Sequence, residues 1–402
     1  MKIIGLDVGN ASVTCCCLSE PQSNLKSYFE AYKKKIEEYP ANREGISRLL
    51  ALNADIAILE PSGIHYAELW YRILSSRGVK VQWVGHVEIG AYRKSHRLPG
   101  KNDRADALAL ASYGWEHLHK PEFFLRFTPE IAQQMRRCIL QLQHLNRVQN
   151  PIVNCAKQYL AHEFPEAANR ASRRKQRNDV PALWGWLAQE RPSPYFDRLW
   201  ARSVAQDFNL EISDFTRAHA RRICNIERQQ DEIEQQIEQL LAYPCFDIYH
   251  PVFDELGMGI RVRALLLSHI YPIEDFLSCN KQPIWEARQT QSGQRDRSLR
   301  AFKLRLGMGL VEDSSGKSID WKPGGSSLCR QALWQWVITR IEPKQNNRRL
   351  PTEAGQQLGA YLDSLKASGV PVKLARMRVA AKAVVLLYKA LVRAVVQAND
   401  RV

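Results

Sequence analysis

A chain of 402 residues, 45% of them hydrophobic, is long enough for two or three domains with real cores. Its 57 Lys and Arg against 42 Asp and Glu leave a formal charge of +15, which fits a polyanionic partner, most simply nucleic acid. Nine cysteines without one Cys-x-x-Cys pair exclude a disulfide framework or a zinc site and point to a reducing cytoplasm. No secretory leader is expected, because Asp7 interrupts the N-terminal apolar run. No membrane span is expected either, because Lys382, Lys389 and Arg393 break the apolar stretch 379–396.

Residues 1–126 alternate strand and helix patterns. Strands are predicted at 2–7, 13–18, 25–32, 55–60 and 80–86, with Cys15, Cys16 and Cys17 in the second. Helices are predicted at 42–52, capped by Asn42, at 66–76, ended by Gly78, and from Asp103 to Tyr113. Three consecutive strands, then helix, strand, helix, strand, helix, is a ribonuclease H-like order.

From 129 to about 164 the pattern is one long helix, with Pro151 as a kink or break. A basic loop follows, and five of its eight residues are cationic: Arg170, Arg173, Arg174, Lys175 and Arg177. It is read as a nucleic-acid backbone contact, the alternative being a solvated linker. Trp184, Trp186, Tyr195, Phe196 and Trp200 are expected to form a small hydrophobic core rather than a base-stacking platform. Across 212–241, Ile223, Ile226, Gln230, Ile233, Ile237 and Leu240 form a heptad stripe with Gln230 in the seam. Self-association is expected there, over packing on a helix of the same chain. Gly257 and Gly259 resemble a helix-hairpin-helix turn. The acid-free stretch 366–399 is expected to be an amphipathic basic helix over nucleic acid.

Four carboxylates carry the chemistry. Asp7 and Glu60 each close a short apolar run, where a side chain is held rigidly at the edge of a crevice. Asp103 and Asp106 share one face of a helix's first turn. Such a cluster of like charges has little structural purpose unless cations neutralise it. Oxygen-only ligands suit Mg2+ or Mn2+, and two such ions can activate a nucleophile and stabilise the leaving oxygen of a phosphodiester. Asp7-Val8-Gly9 alone also suits an actin-like kinase, but no second Gly-rich nucleotide loop follows.

Farther on, Ser314-Ser315-Gly316-Lys317 precedes Lys322-Pro323-Gly324-Gly325 and Arg330. A serine in a Gly-bounded turn beside cations is a possible nucleophile for phosphate. Together with Gly5-Leu6-Asp7-Val8, Leu59-Glu60-Pro61-Ser62-Gly63, Asn102-Asp103-Arg104-Ala105-Asp106 and the Leu256-Gly257-Met258-Gly259 turn, it makes the chain resemble the transposases of insertion-sequence family one-ten, which include Piv-type DNA invertases. The resemblance implies a RuvC-like, ribonuclease H-like metal domain at 1–126. A helical middle at 127–250 would carry the coiled coil at about 211–243, and a mostly helical serine domain would span 251–402. It implies Asp7, Glu60, Asp103 and Asp106 as Mg2+ or Mn2+ ligands and Ser315 as nucleophile, with Ser314 as second choice. Lys317, Lys322 and Arg330 join the basic loop as nucleic-acid contacts. The implied partners are double-stranded DNA, a guide (bridge) RNA and further copies in a dimer or tetramer, in the bacterial cytoplasm at the nucleoid. The chain departs from the family pattern in its extra segment at about 169–202 and in the run Asp320-Trp321-Lys322-Pro323 after the serine. An invertase working without RNA and a domesticated binder that no longer cuts are the rival readings.

Overall fold

In chain order the first unit, Met1–Phe127, holds β1 (Ile3–Val8), β2 (Ser12–Leu18), α1 (Leu25–Tyr32), β3 (Glu37–Pro40), α2 (Arg43–Leu50), β4 (Ile56–Leu59), α3 (Tyr66–Ser76), β5 (Lys80–Trp83), α4 (His86–Ser95) and α5 (Asp103–Glu116). The computed structural model describes all residues except 62–65, 101, 121–122, 126–129, 175, 288–292, 316–317, 345–348 and 400–402. The strands form one sheet in the order β3-β2-β1-β4-β5. β1 pairs antiparallel with β2 and parallel with β4, so the chain order of the strands turns at its centre. β2 and β3 are antiparallel and β4 and β5 parallel.

Both faces of the sheet are covered, which is why its central strands are continuously apolar. The period-2 alternation divides their side chains. Ile3, Cys16, Leu18, Ile56 and Ile58 pack with Leu25 and Phe29 of α1, Ile89 of α4 and the body of α5. Ile4, Leu6, Val13, Cys15, Ala57 and Leu59 pack on the other face with Leu49 of α2 and Trp70 and Leu74 of α3. Asp7 and Glu60 continue the odd series of β1 and the even series of β4, so both fall on the α5 side.

α5 reaches that face because two glycines let it. A Cβ on Gly5 would lie 2.1 Å from the Ala107 carbonyl oxygen and 2.3 Å from the Ala111 nitrogen; one on Gly114 would lie 2.5 Å from Ile58. α5 is buried almost all round, from Ala107 to Gly114, and its alanines keep both sides of the contact small.

One predicted strand is a helix. Residues 25–32 form α1, capped by the Asn24 side chain, which accepts from the Ser27 amide at 3.0 Å. Leu25 and Phe29, one helical turn apart, are its buried pair, a helical spacing that the strand reading passed over. The third strand is instead β3, a polar edge strand with only Tyr39 buried, too short and charged to stand out. The strand predicted at 80–86 stops at Trp83, and Gly85 caps α4. The helices at 42–52 and 66–76 lie where the caps predicted them.

The second unit, Thr128–Val402, is mostly helical. It runs α6 (Glu130–Glu163), α7 (Pro165–Ala168), α8 (Ala182–Leu187), α9 (Pro194–Trp200), α10 (Val204–Asp207), α11 (Asp214–Leu241), α12 (His250–Glu255), α13 (Ile260–Ile270), β6 (Trp285–Ala287), β7 (Gln294–Asp296), α14 (Arg297–Arg305), β8 (Gly309–Ser315), β9 (Ser318–Gly324), α15 (Ser327–Trp336), α16 (Glu353–Ala367) and α17 (Val372–Asn399). α6 continues through Pro151. The heptad stripe of α11 packs on α6 of the same chain, where the Gln230 amide donates to Asn146 at 3.3 Å and to Gln149 at 3.2 Å. This replaces the expected self-association along that seam: the partner helix is supplied from within the chain. Trp184, Trp186, Phe196 and Trp200 join a core with Leu160, Leu187 and Ile223, as expected, so the extra segment builds a subdomain core; Tyr195, expected in it, is exposed instead. α17 is no surface helix: Val379, Ala383, Leu387 and Leu391 lie at the centre of the larger core. Its Arg376, with Lys366 of α16, is held by Glu342.

Substituting Gly5 with Ala should cost about 2–3 kcal/mol through overpacking against the α5 backbone. Urea unfolding of the variant checks this; an unchanged midpoint would show that the contact is not tight.

Candidate active site

Each acid has a distinct local support. Asp7 is the penultimate residue of β1, between Leu6, paired with Leu59, and Val8, paired with Val13. Glu60 follows β4 directly, so the parallel register carries it level with Asp7. Asp103 and Asp106 stand in the first turn of α5, opened by Asn102, whose side chain accepts from the amides of Arg104 and Ala105, both at 3.1 Å. Negative charge there is favoured by the helix dipole.

The charges meet. Asp7 is pushed up to about 6, first by burial and then by the Asp106 and Asp103 carboxylates; Arg93 and the Val8 amide pull the other way. Burial raises Asp106 as well, against the Arg93 guanidinium that bonds it. Two basic side chains of α4 answer the cluster: His86 pairs with Glu60 and Arg93 with Asp106. These two residues were not foreseen, because 80–86 was read as a strand running through His86. The sequence signal lay in Glu88 near the start of α4 and Arg93 and Lys94 at its end, a charge order that favours a helix.

Among the described residues no group of three or more acids, histidines or cysteines is drawn together as a metal cage. The donor set still fits a hard divalent cation. It is all oxygen, and the Asp103 and Asp106 carboxylates add to burial in raising Asp7.

Ser315 ends β8 and pairs with Ser318 across the hairpin; Ser314 pairs with Ile319. Lys317 and Lys175 lie outside the described residues. Lys322 forms an ion pair with Asp313 across the hairpin. Arg330 turns inward and donates to the Gly307 carbonyl at 2.8 Å and the Gly324 carbonyl at 3.3 Å, clamping the hairpin's base. In the basic loop Arg174 is held by Asp231 at 2.8 Å and by Glu234, and Arg177 by Glu238. Arg170 lies over the Tyr195 ring at 5.3 Å, while Arg173 is exposed. Much of this basic charge is therefore engaged inside the chain, which a linear count of cations does not reveal.

The first unit is thus an α/β unit with Asp7 and Glu60 at the carboxyl ends of its central strands, and the second unit is mostly helical. Residues 4–165 match the model of the DEDD transposases of family IS110, described as a transposase. Over that segment the chain is similar to the IS110-family transposases, and the match takes in all of the sheet but Ile3, all four acids and α6. It ends before the serine hairpin. No curated protein matches the chain. Among the described residues no helix is long and apolar enough to cross a membrane.

The folded state prefers Asp7 protonated, since its value near 6 stands above the ordinary 3.8. That preference favours folding below about pH 4 and is lost as the pH rises through about 6. Without metal, Asp7→Asn should therefore stabilise the protein by about 2 kcal/mol at pH 7.5 and by little at about pH 4. Calorimetry in chelator at the two pH values checks it; an equal effect at both would exclude a charge origin.

Proposed function

We propose that the first unit is a RuvC-like, ribonuclease H-like catalytic core and that the protein is a recombinase that cuts, exchanges and religates duplex DNA through a phosphoserine link. The observation that supports this reading is the electrostatic reach of Asp103 and Asp106 on Asp7, with Glu60 carried level with Asp7 by the parallel register of β1 and β4, inside the span matched by the transposase family. Mg2+ or Mn2+ held by these four would polarise the phosphodiester and stabilise the charge on its leaving oxygen. The Ser315 Oγ bonds to phosphorus, the bond from phosphorus to the neighbouring sugar oxygen breaks, and the serine proton passes to that oxygen. The phosphoserine keeps the ester bond energy, so reverse attack by a sugar hydroxyl religates the strand without a nucleotide cofactor. Asp7 and Glu60, fixed by paired strands, and Asp103 and Asp106, fixed by a capped helix turn, supply the rigidity that positions the reacting phosphate.

In this reading a guide RNA pairs with the DNA to select sites, a dimer or tetramer brings acids and serines together, and the protein works at the bacterial nucleoid. The family resemblance supports both partners. The formal charge of +15 supports a polyanion.

Ser315→Ala should lose the covalent DNA adduct while duplex binding stays within about twofold, a change near the noise of such measurements. Asp7→Ala should lose metal-dependent strand cleavage. Denaturing gels of labelled duplex score both; an undiminished adduct in the first or full cleavage in the second overturns the assignment. Sequencing RNA retained on the protein expressed with its native flanks tests the guide. A discrete flank-encoded RNA supports it, and its absence from folded, DNA-binding protein favours an unguided invertase.

A further inference from the structure

We propose that Arg93 is a resident counter-cation of the acid cluster: it holds Asp106 while no divalent cation is bound, must leave when one binds, and is then free to meet a DNA phosphate. This rests on the metal-site reading of Asp7, Glu60, Asp103 and Asp106.

The geometry of α4 carries the argument. His86 and Arg93 are seven residues apart, two turns of one helix, and so share one face. That face meets Glu60 through His86 and Asp106 through Arg93. α4 is anchored beside the cluster. Ile89 is buried, the Tyr92 ring stands edge-on to Tyr113 at 5.2 Å, and the Tyr92 hydroxyl bonds to Glu116 of α5. The pair is also sheltered, with Arg93 only 18% and Asp106 16% exposed. A sheltered carboxylate left without a partner is strongly destabilising, and a guanidinium cannot answer that by losing its proton. Arg93 also draws the Asp7 carboxyl down, so its charge reaches beyond its bonded partner.

A guanidinium and a divalent cation on the same carboxylate repel each other, so metal entry and retention of the Arg93 contact are alternatives. The displaced guanidinium needs a new anion in a partly dry cleft. A phosphodiester is the anion that this protein's substrate brings, and its planar fork suits phosphate oxygens. Metal and DNA then help each other bind, and by linkage the effect is reciprocal. Arg93 is in this sense a positioning residue that makes the site metal-poor until substrate arrives.

The test is Mn2+ titration of the full-length protein by calorimetry, with and without duplex DNA, for wild type, Arg93→Gln and Arg93→Lys. Arg93→Gln should bind Mn2+ at least about tenfold more tightly than wild type in the absence of DNA. Arg93→Lys should remain near wild type, and DNA should tighten Mn2+ binding to wild type but add little to Arg93→Gln. In chelator Arg93→Gln should melt earlier than wild type, a loss that Mn2+ reverses. A merely structural role would lower the melting temperature without raising metal affinity. Equal or weaker Mn2+ binding by Arg93→Gln, with wild type binding normally, overturns the proposal and leaves the metal site standing. Failure of all three proteins to bind Mn2+ overturns both. If Arg93→Gln does not fold, Arg93→Met, which keeps the packing volume, gives the same comparison.

Discussion

The approach of the α5 backbone to β1 at Gly5 is the constraint on which the first unit depends. Only a residue without a Cβ lets the carbonyl of Ala107 and the amide of Ala111 come so near a central strand. With α5 seated there, its capped first turn lies over the carboxyl end of β1, and Asp103 and Asp106 come within electrostatic reach of Asp7. A helix held farther off by a larger residue would weaken the coupling between the acids. Packing thus decides electrostatics in this unit.

Gathering like charges costs free energy, and the molecule distributes that cost. Part appears as the raised carboxyl of Asp7. Part is offset by Arg93 of α4, beside the contact of His86 with Glu60. A site balanced in this way is stable before its reaction partners arrive and is still short of positive charge. That is the electrostatic condition for taking up a hard cation and, with it, a phosphate.

The second unit shows the opposite use of charge. Arg174, Arg177, Lys366 and Arg376 are held by acids of neighbouring helices. Arg330 ties the serine hairpin to the loop at Gly307. These contacts fix how the helices and the hairpin sit within the unit, and they withdraw cations that looked available for nucleic acid. The Gln230 amide, bonded to Asn146 and Gln149, likewise sets the register of α6 against α11 where an all-apolar seam would allow sliding.

The sequence by itself determined what depends on local pattern. The apolar runs ending in Asp7 and Glu60, the Asn42 cap, the acid pair three residues apart on α5 and most of the aromatic core at 184–200 were legible, because strand period, helix period and capping chemistry are written within a few residues. The order of the strands, apart from the segment 25–32, was legible for the same reason. Only the tertiary structure decided what depends on distant partners. β3 is a strand because β2 offers it an edge, not because Glu37 and Glu38 favour one. α17 is central because apolar helices surround it, α11 finds its partner inside the chain, and Arg93 meets Asp106 because α4 and α5 lie side by side. Charge and hydrophobicity are properties of a residue, but pairing and burial are properties of two surfaces, and the second surface is not written next to the first.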